Sequence, residues 1–218
     1  MTHGFIAVVL LAVTPLAVWG QACLGSPTAD GQYAAAGSIG LTDGAESYGA
    51  EVTANLVGPL SLGAGYSLID IDAVETKGNS FGAGAAAELT FPAASLCPTA
   101  RIIYSRFHEE VFGIVGTVTQ IVVPVGFGVG KTLAAGPRSY VTLFGQPQFL
   151  WIRTEGDLSL GGGTLSESET DNEFGVDLGM RFSNASFYAG AAVRLTTIED
   201  SNPVYTMLLG VLVGRKRG

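Results

Sequence analysis

The sequence predicts an all-β protein: a closed antiparallel up-and-down transmembrane β-barrel of about ten strands, with eight as the alternative. Three observations carry this. Segment after segment alternates apolar with small or polar residues, a period of two that gathers the apolar side chains on one face of a strand. Charged residues make up 14% of the 218 and hydrophobic ones 47%, with 31 glycines, too little charge for a cytosolic surface. The connections alternate between longer polar segments and tight turns, so long loops collect at one end and short turns at the other.

Residues 1–22 read as a signal peptide and 23–218 as the barrel domain. Phe5 to Trp19 is apolar apart from Thr14 and Pro15, and Gly20-Gln21-Ala22 offers small residues for cleavage. The stretch is too short to span a bilayer as a helix. Cys23 and Cys97 are the chain's two cysteines, which in an exported protein suggests one disulfide; acylation of Cys23 is the other reading. They make a poor metal site, since His108 is the single histidine beyond the signal.

The strands follow in order. Residues 32–41 set Tyr33, Ala35, Ile39 and Leu41 against Gln32, Ser38 and Gly40. In 47–57, Tyr48, Ala50, Val52 and Ala54 oppose Ser47, Gly49, Glu51 and Thr53, and in 60–69, Leu60, Leu62, Ala64, Tyr66 and Leu68 oppose Ser61, Gly63, Gly65 and Ser67. The segment 80–91 places Phe81, Ala83, Ala85 and Ala87 against Ser80, Gly82, Gly84 and Glu88. Residues 99–107 oppose Ala100, Ile102 and Tyr104 to Arg101, Ile103 and Ser105, and 118–131 opposes Ile121, Val123, Val125 and Phe127 to Gln120, Val122, Pro124 and glycines. Val141, Leu143, Phe149 and Trp151 in 139–153 oppose Thr142, Phe144, Gln146 and Gln148. Residues 173–182 separate the types most fully, with Phe174, Val176, Leu178, Met180 and Phe182 on one face and Glu173, Gly175, Asp177, Gly179 and Arg181 on the other. The last two, 186–196 and 203–214, carry Phe187, Ala189, Ala191, Val193 and Leu195, then Tyr205, Met207, Leu209, Val211 and Val213, on their apolar faces.

The longer connections are read at Thr42 to Glu46, Asp70 to Asn79, His108 to Gly116, Thr154 to Asp171 and Ile198 to Asn202, and the tight ones at 57–59, 133–138 and 183–185. The Pro92 to Pro98 segment falls at the tight end, which places Cys97 at the same end as Cys23. A soluble sandwich would need polar outward faces on nearly every strand, whereas the faces opposite the apolar ones are mostly Gly, Ser, Ala and Thr, which suit a crowded lumen. Aromatic residues near strand ends, Tyr33, Tyr48, Phe81, Phe91, Trp151, Phe174, Phe182 and Tyr205, fit interfacial girdles. With its leader, alternating strands and loop asymmetry, the chain resembles the bacterial outer-membrane β-barrel superfamily, broadly the small OmpA-like or opacity-type barrels. The resemblance implies residence in an outer-membrane lipid bilayer.

Candidate site residues are the charges on the lumen face: Glu51, Glu88, Arg101, Asp177, Arg181 and Arg194. Ionised groups in a narrow barrel need partners, so Asp177 with Arg194, or Arg181 with a glutamate of the far wall, are expected to pair. They read as a plug of paired charges, or in a wider lumen as a selectivity lining. His108-Glu109-Glu110 offers a base and carboxylates at the extracellular rim, but no serine or aspartate can be tied to the histidine and a solvated loop is the simpler reading. The acidic stretch Glu155, Asp157, Glu167, Glu169, Asp171, Asn172 matches no EF-hand and reads as an exposed loop. Gly126 to Thr132 looks like a phosphate loop but has Val125 where a glycine is required and lies in a strand.

A net charge of -8 argues against nucleic acid. The expected role is non-enzymatic, a structural or surface-interaction barrel without cofactor or metal. The alternatives are a narrow porin-like channel for small solutes and, third, a barrel-borne surface hydrolase. Extracellular ligands or small solutes are the partners these readings imply.

Overall fold

The protein is seen in a computed structural model that describes residues 32–56, 59–71, 76–111, 114–160, 163–197 and 201–214. The strands are β1 (Gln32–Thr42), β2 (Ala45–Asn55), β3 (Leu60–Ile71), β4 (Thr76–Ala87), the two-residue β5 (Leu89–Thr90), β6 (Ser95–Val111), β7 (Ile114–Gly136), β8 (Ser139–Leu160), β9 (Gly163–Ser183), β10 (Phe187–Thr196) and β11 (Val204–Gly214). Apart from β4 and β5, each pairs antiparallel with its chain neighbours; β4 pairs with β6 past the short β5, and β1 pairs with β11. Ten strands thus close into an up-and-down barrel, while β5 adds two residue pairs at the start of β6.

The register fixes the barrel's size. From Leu41 the pairing passes through Glu46, Asp70, Lys77, His108, Thr117 and Asp157 to Ser166 of β9. In the other direction it passes through Tyr205 and Val193 to Leu178 of the same strand, twelve residues further on. That offset is the shear. With a rise of about 3.3 Å per residue and strands about 4.8 Å apart, it tilts the strands by about 40° and gives a backbone cylinder about 10 Å in radius.

Side chains alternate as the sequence predicts. Tyr33, Tyr48, Val52, Leu62, Tyr66, Phe81, Ile102, Val125, Phe149, Leu178, Met180, Met207 and Leu209 are exposed on the outer face. Ser47, Thr53, Ser61, Ser67, Ser80, Thr99, Ser105, Gln120, Thr142, Gln146 and Gln148 are buried in the lumen. This inverts a soluble protein, with apolar residues outside and polar ones within.

The connections differ from expectation at several points. Thr42 to Glu46 is a tight hairpin in which Thr42 pairs with Ala45 across Asp43-Gly44, and Gly44 takes φ 78°, a conformation that favours glycine. The segments read as loops at 108–116 and 154–171 are mostly strand, because β6 runs to Val111, β7 starts at Ile114, β8 runs to Leu160 and β9 starts at Gly163. Their Thr, Ser and Val content supports pairing in water as well as in a membrane, and polarity alone had suggested loops. β6 also begins at Ser95, inside the segment read as the Pro92 to Pro98 connection.

One wall of the barrel is therefore taller than the rest. At the tilt given above, the β9 residue level with Thr42 is about Glu173, so Gly163 to Asn172 stand on the order of 25 Å above the rim formed by β1, β2, β10 and β11. The end bearing this wall is called the upper end below. Residues 1–31, including the predicted signal peptide and Cys23, lie outside the described residues.

Candidate functional site

The barrel's inner radius leaves room for little beyond its own side chains, and those at mid-height are charged. Asp177 of β9 and Arg194 of β10 are cross-strand partners whose alternation turns both inward. Arg194 donates from Nε to Asp177 Oδ1 and from Nη2 to Oδ2, each at 2.6 Å, a two-point contact suited to the planar guanidinium. Gln148 of β8 donates from Nε2 to Asp177 Oδ2 at 3.2 Å, and its Oε1 accepts from Arg101 Nη2 of β6 at 3.0 Å. A chain of hydrogen bonds from Arg101 through Gln148 and Asp177 to Arg194 thus crosses four strands, and all four residues are buried.

Glu51 of β2 is buried across the lumen, where Arg181 and Arg101 are the cations that act on it. Arg181 stacks over the Tyr188 ring, its guanidinium carbon 5.2 Å from the centroid. The sixth predicted lumen charge, Glu88, follows the last residue of β4 and is only partly buried; its N–H donates to the Pro59 carbonyl at 2.8 Å. The structure therefore brings Glu51, Arg101, Asp177, Arg181 and Arg194 together and leaves Glu88 at the lower rim.

Layers above and below complete the filling. Ile103, Val122, Leu150 and Ile152 form an apolar cluster on the upper side, each two residues along a strand from a buried polar residue. Tyr188 and Leu208 pack with Ala34 and Ala36, and Phe144 packs with Ala86 and Cys97, on the lower side. Gln146 donates to Thr99 Oγ1 at 3.1 Å there. A small void of about 10 Å³, the size of one water, lies beside Glu51 and Arg101.

Sequence reading missed what makes room for these groups. Arg101 lies opposite Gly84, Gln148 opposite Gly126, Phe144 opposite Gly179 and Tyr188 opposite Gly210 in the register. A Cβ at any of the four glycines would overlap its partner. Each of these four side chains thus lies across the bare backbone of the neighbouring strand. The signal is present in the sequence, but only when strands are aligned in register, which period alone does not supply.

His108 is on β6 and points outward, exposed, with Nδ1 3.3 Å from Thr117 Oγ1. The side chains of Glu109 and Glu110 lie outside the described residues. Among the described residues no group of three or more His, Cys, Asp or Glu is placed to hold a metal ion. Cys97 is fully buried toward the lumen near the lower end, and its predicted partner Cys23 is outside the described residues.

No family model and no curated protein matches the sequence. The fold is similar to the translocator domain of the autotransporter NalP from Neisseria meningitidis, with TM-score 0.51 and 10% identity over 87% of this chain and 90% of that one. It is also similar to the β domain of the Bordetella autotransporter BrkA, with TM-score 0.50 and 10% identity over 85% of this chain and 99% of that one. At this identity the likeness is one of fold alone, a closed antiparallel β-barrel.

Proposed function

We propose that this is a non-enzymatic barrel of a bacterial outer membrane, exported through a cleaved signal peptide, closed to solutes at its waist and acting at the cell surface through its tall wall. The supporting observation is the lumen-crossing chain from Arg101 through Gln148 and Asp177 to Arg194. In a cylinder about 10 Å in radius, side chains reaching inward from opposite walls meet, and the central space is filled rather than conducting. The outer face supports the membrane assignment. From Tyr33 to Leu41, β1 offers a band about 20 Å tall at that tilt, close to the apolar band of about 25 Å typical of outer-membrane barrels. Exposed aromatics bound it, with Tyr48, Phe174 and Tyr205 toward the upper end and Tyr33, Tyr140, Phe182 and Phe187 toward the lower.

The test is conductance. Purified protein in a planar bilayer is expected to give flat traces, and Arg101→Ala combined with Gln148→Ala to give current steps. Stable steps from the unaltered protein would replace this reading with the narrow channel. Hydrolysis of a peptide or lipid substrate that is lost in His108→Ala would replace it with the enzyme.

A further inference from the structure

The tall wall ends in an open sheet edge. β10 pairs with β9 only as far as Gly175, and Thr197 adds one more contact, donating its N–H to the Phe174 carbonyl at 2.9 Å while its Oγ1 accepts from Phe174 N–H at 3.0 Å. Above Phe174, among the described residues, no strand pairs with β9 on that side, although β8 pairs with it on the other up to Gly163. Backbone groups alternate between the two edges of a strand. Since Phe174 turns both its N–H and its C=O toward β10, Asn172, Thr170, Ser168 and Ser166 turn theirs to the same open side.

The side chains alternate in step with the backbone. Asp171, Glu169 and Glu167 share the face that continues the lumen side of Asp177, while Asn172, Thr170, Ser168 and Ser166 share the outer face. The β8 residues opposite the three acids are Ile152, Thr154 and Gly156, none of them basic. The nearby Arg153 is on the outer face and pairs with Glu155 at 2.6 Å. Among the described residues the three carboxylates therefore form a row of like charge without a cation.

We propose that the open edge of β9 from Ser166 to Asn172 accepts an added strand from a partner protein, an extended segment with lysine or arginine at every second residue. This rests on the surface-interaction reading above. An incoming antiparallel strand would exchange backbone hydrogen bonds with Ser166, Ser168, Thr170 and Asn172. Its alternate residues would stand opposite Glu167, Glu169 and Asp171 in the closer, non-hydrogen-bonded pairs, where opposite charges attract. The backbone supplies the bonding and the acid row selects the basic sequence.

The test uses the full-length barrel in detergent micelles and a nine-residue peptide of alternating threonine and lysine. A second peptide, N-methylated at its threonines, keeps the charge and loses the edge-facing donors. The unmodified peptide is expected to bind, with affinity reduced at least tenfold by the methyl groups, by Thr170→Pro and by Glu167→Gln combined with Glu169→Gln. Equal binding of the methylated peptide, or no binding of the unmodified one, overturns the strand addition, and neither result depends on a variant folding. Bilayer recordings on the same preparation keep the two readings apart. Flat traces without peptide binding overturn the strand addition and leave the closed barrel standing, whereas current steps with methylation-sensitive binding do the reverse.

Discussion

Asp177 and Arg194 face each other across adjacent strands and share two charge-assisted hydrogen bonds of 2.6 Å inside the lumen. Both are buried, so removing one leaves the other as an uncompensated charge away from bulk water. Asp177→Ala is expected to lower stability by about 3–5 kcal/mol. Replacing both, as in Asp177→Leu with Arg194→Met, should cost less than either single change. Urea unfolding in micelles, followed by tryptophan fluorescence, measures both.

Leu178 lies midway between Glu173, level with the upper rim, and the lower end of β9 at Ser183, and its side chain is exposed on the outer face. Leu178→Arg is expected to cost about 2–4 kcal/mol, because the charge would enter hydrocarbon near the bilayer midplane. The same change at Leu165, exposed on the tall wall, should cost under about 0.5 kcal/mol, as surface changes do. Reversible folding into lipid vesicles distinguishes a membrane face from a wetted one, since a soluble barrel would treat the two sites alike.

Gly210 lies under the Tyr188 ring, where a Cβ would overlap it. Gly210→Val should destabilise by about 1–3 kcal/mol through overpacking, and adding Tyr188→Ala should restore part of the loss. The temperature at which the folded band shifts on a detergent gel reports the difference.

Cys97 is fully buried at the lower end, where β1 also begins, at Gln32, nine residues after Cys23 in the chain. A Cys23 to Cys97 disulfide is expected in protein purified from membranes, read as a mobility change on reduction that Cys97→Ser abolishes. A mass increase of a lipid on the mature N-terminus would point to acylation of Cys23 instead.

The closed barrel was legible because inward and outward residues differ in kind along nearly every strand, most fully from Phe174 to Phe182. The pairing of Asp177 with Arg194 is suggested by sign and parity, but its partners Gln148 and Arg101 are set by register across β6 to β9, which no single segment contains. Glu88 shows the limit of parity. It has the spacing of a lumen residue, yet β4 ends one residue before it, and strand ends are set by pairing rather than by pattern. The tall wall was misread for a related reason: Ser, Thr and acidic residues outside the bilayer look like loop until a neighbouring strand is available to pair with them.

Arg101, Gln148, Phe144 and Tyr188, which lie across glycines, have a consequence for how the barrel closes. A slip of one strand by two residues would keep every apolar side chain outward, so the lipid face alone cannot detect it. The same slip would bring Arg101 or Tyr188 against a different residue of its neighbour, and moving Arg101 from Gly84 to Ala86 would set its side chain on a methyl group. The interior thus works as a checksum on alignment. A slip toward Ala86, invisible from the membrane, is counted inside.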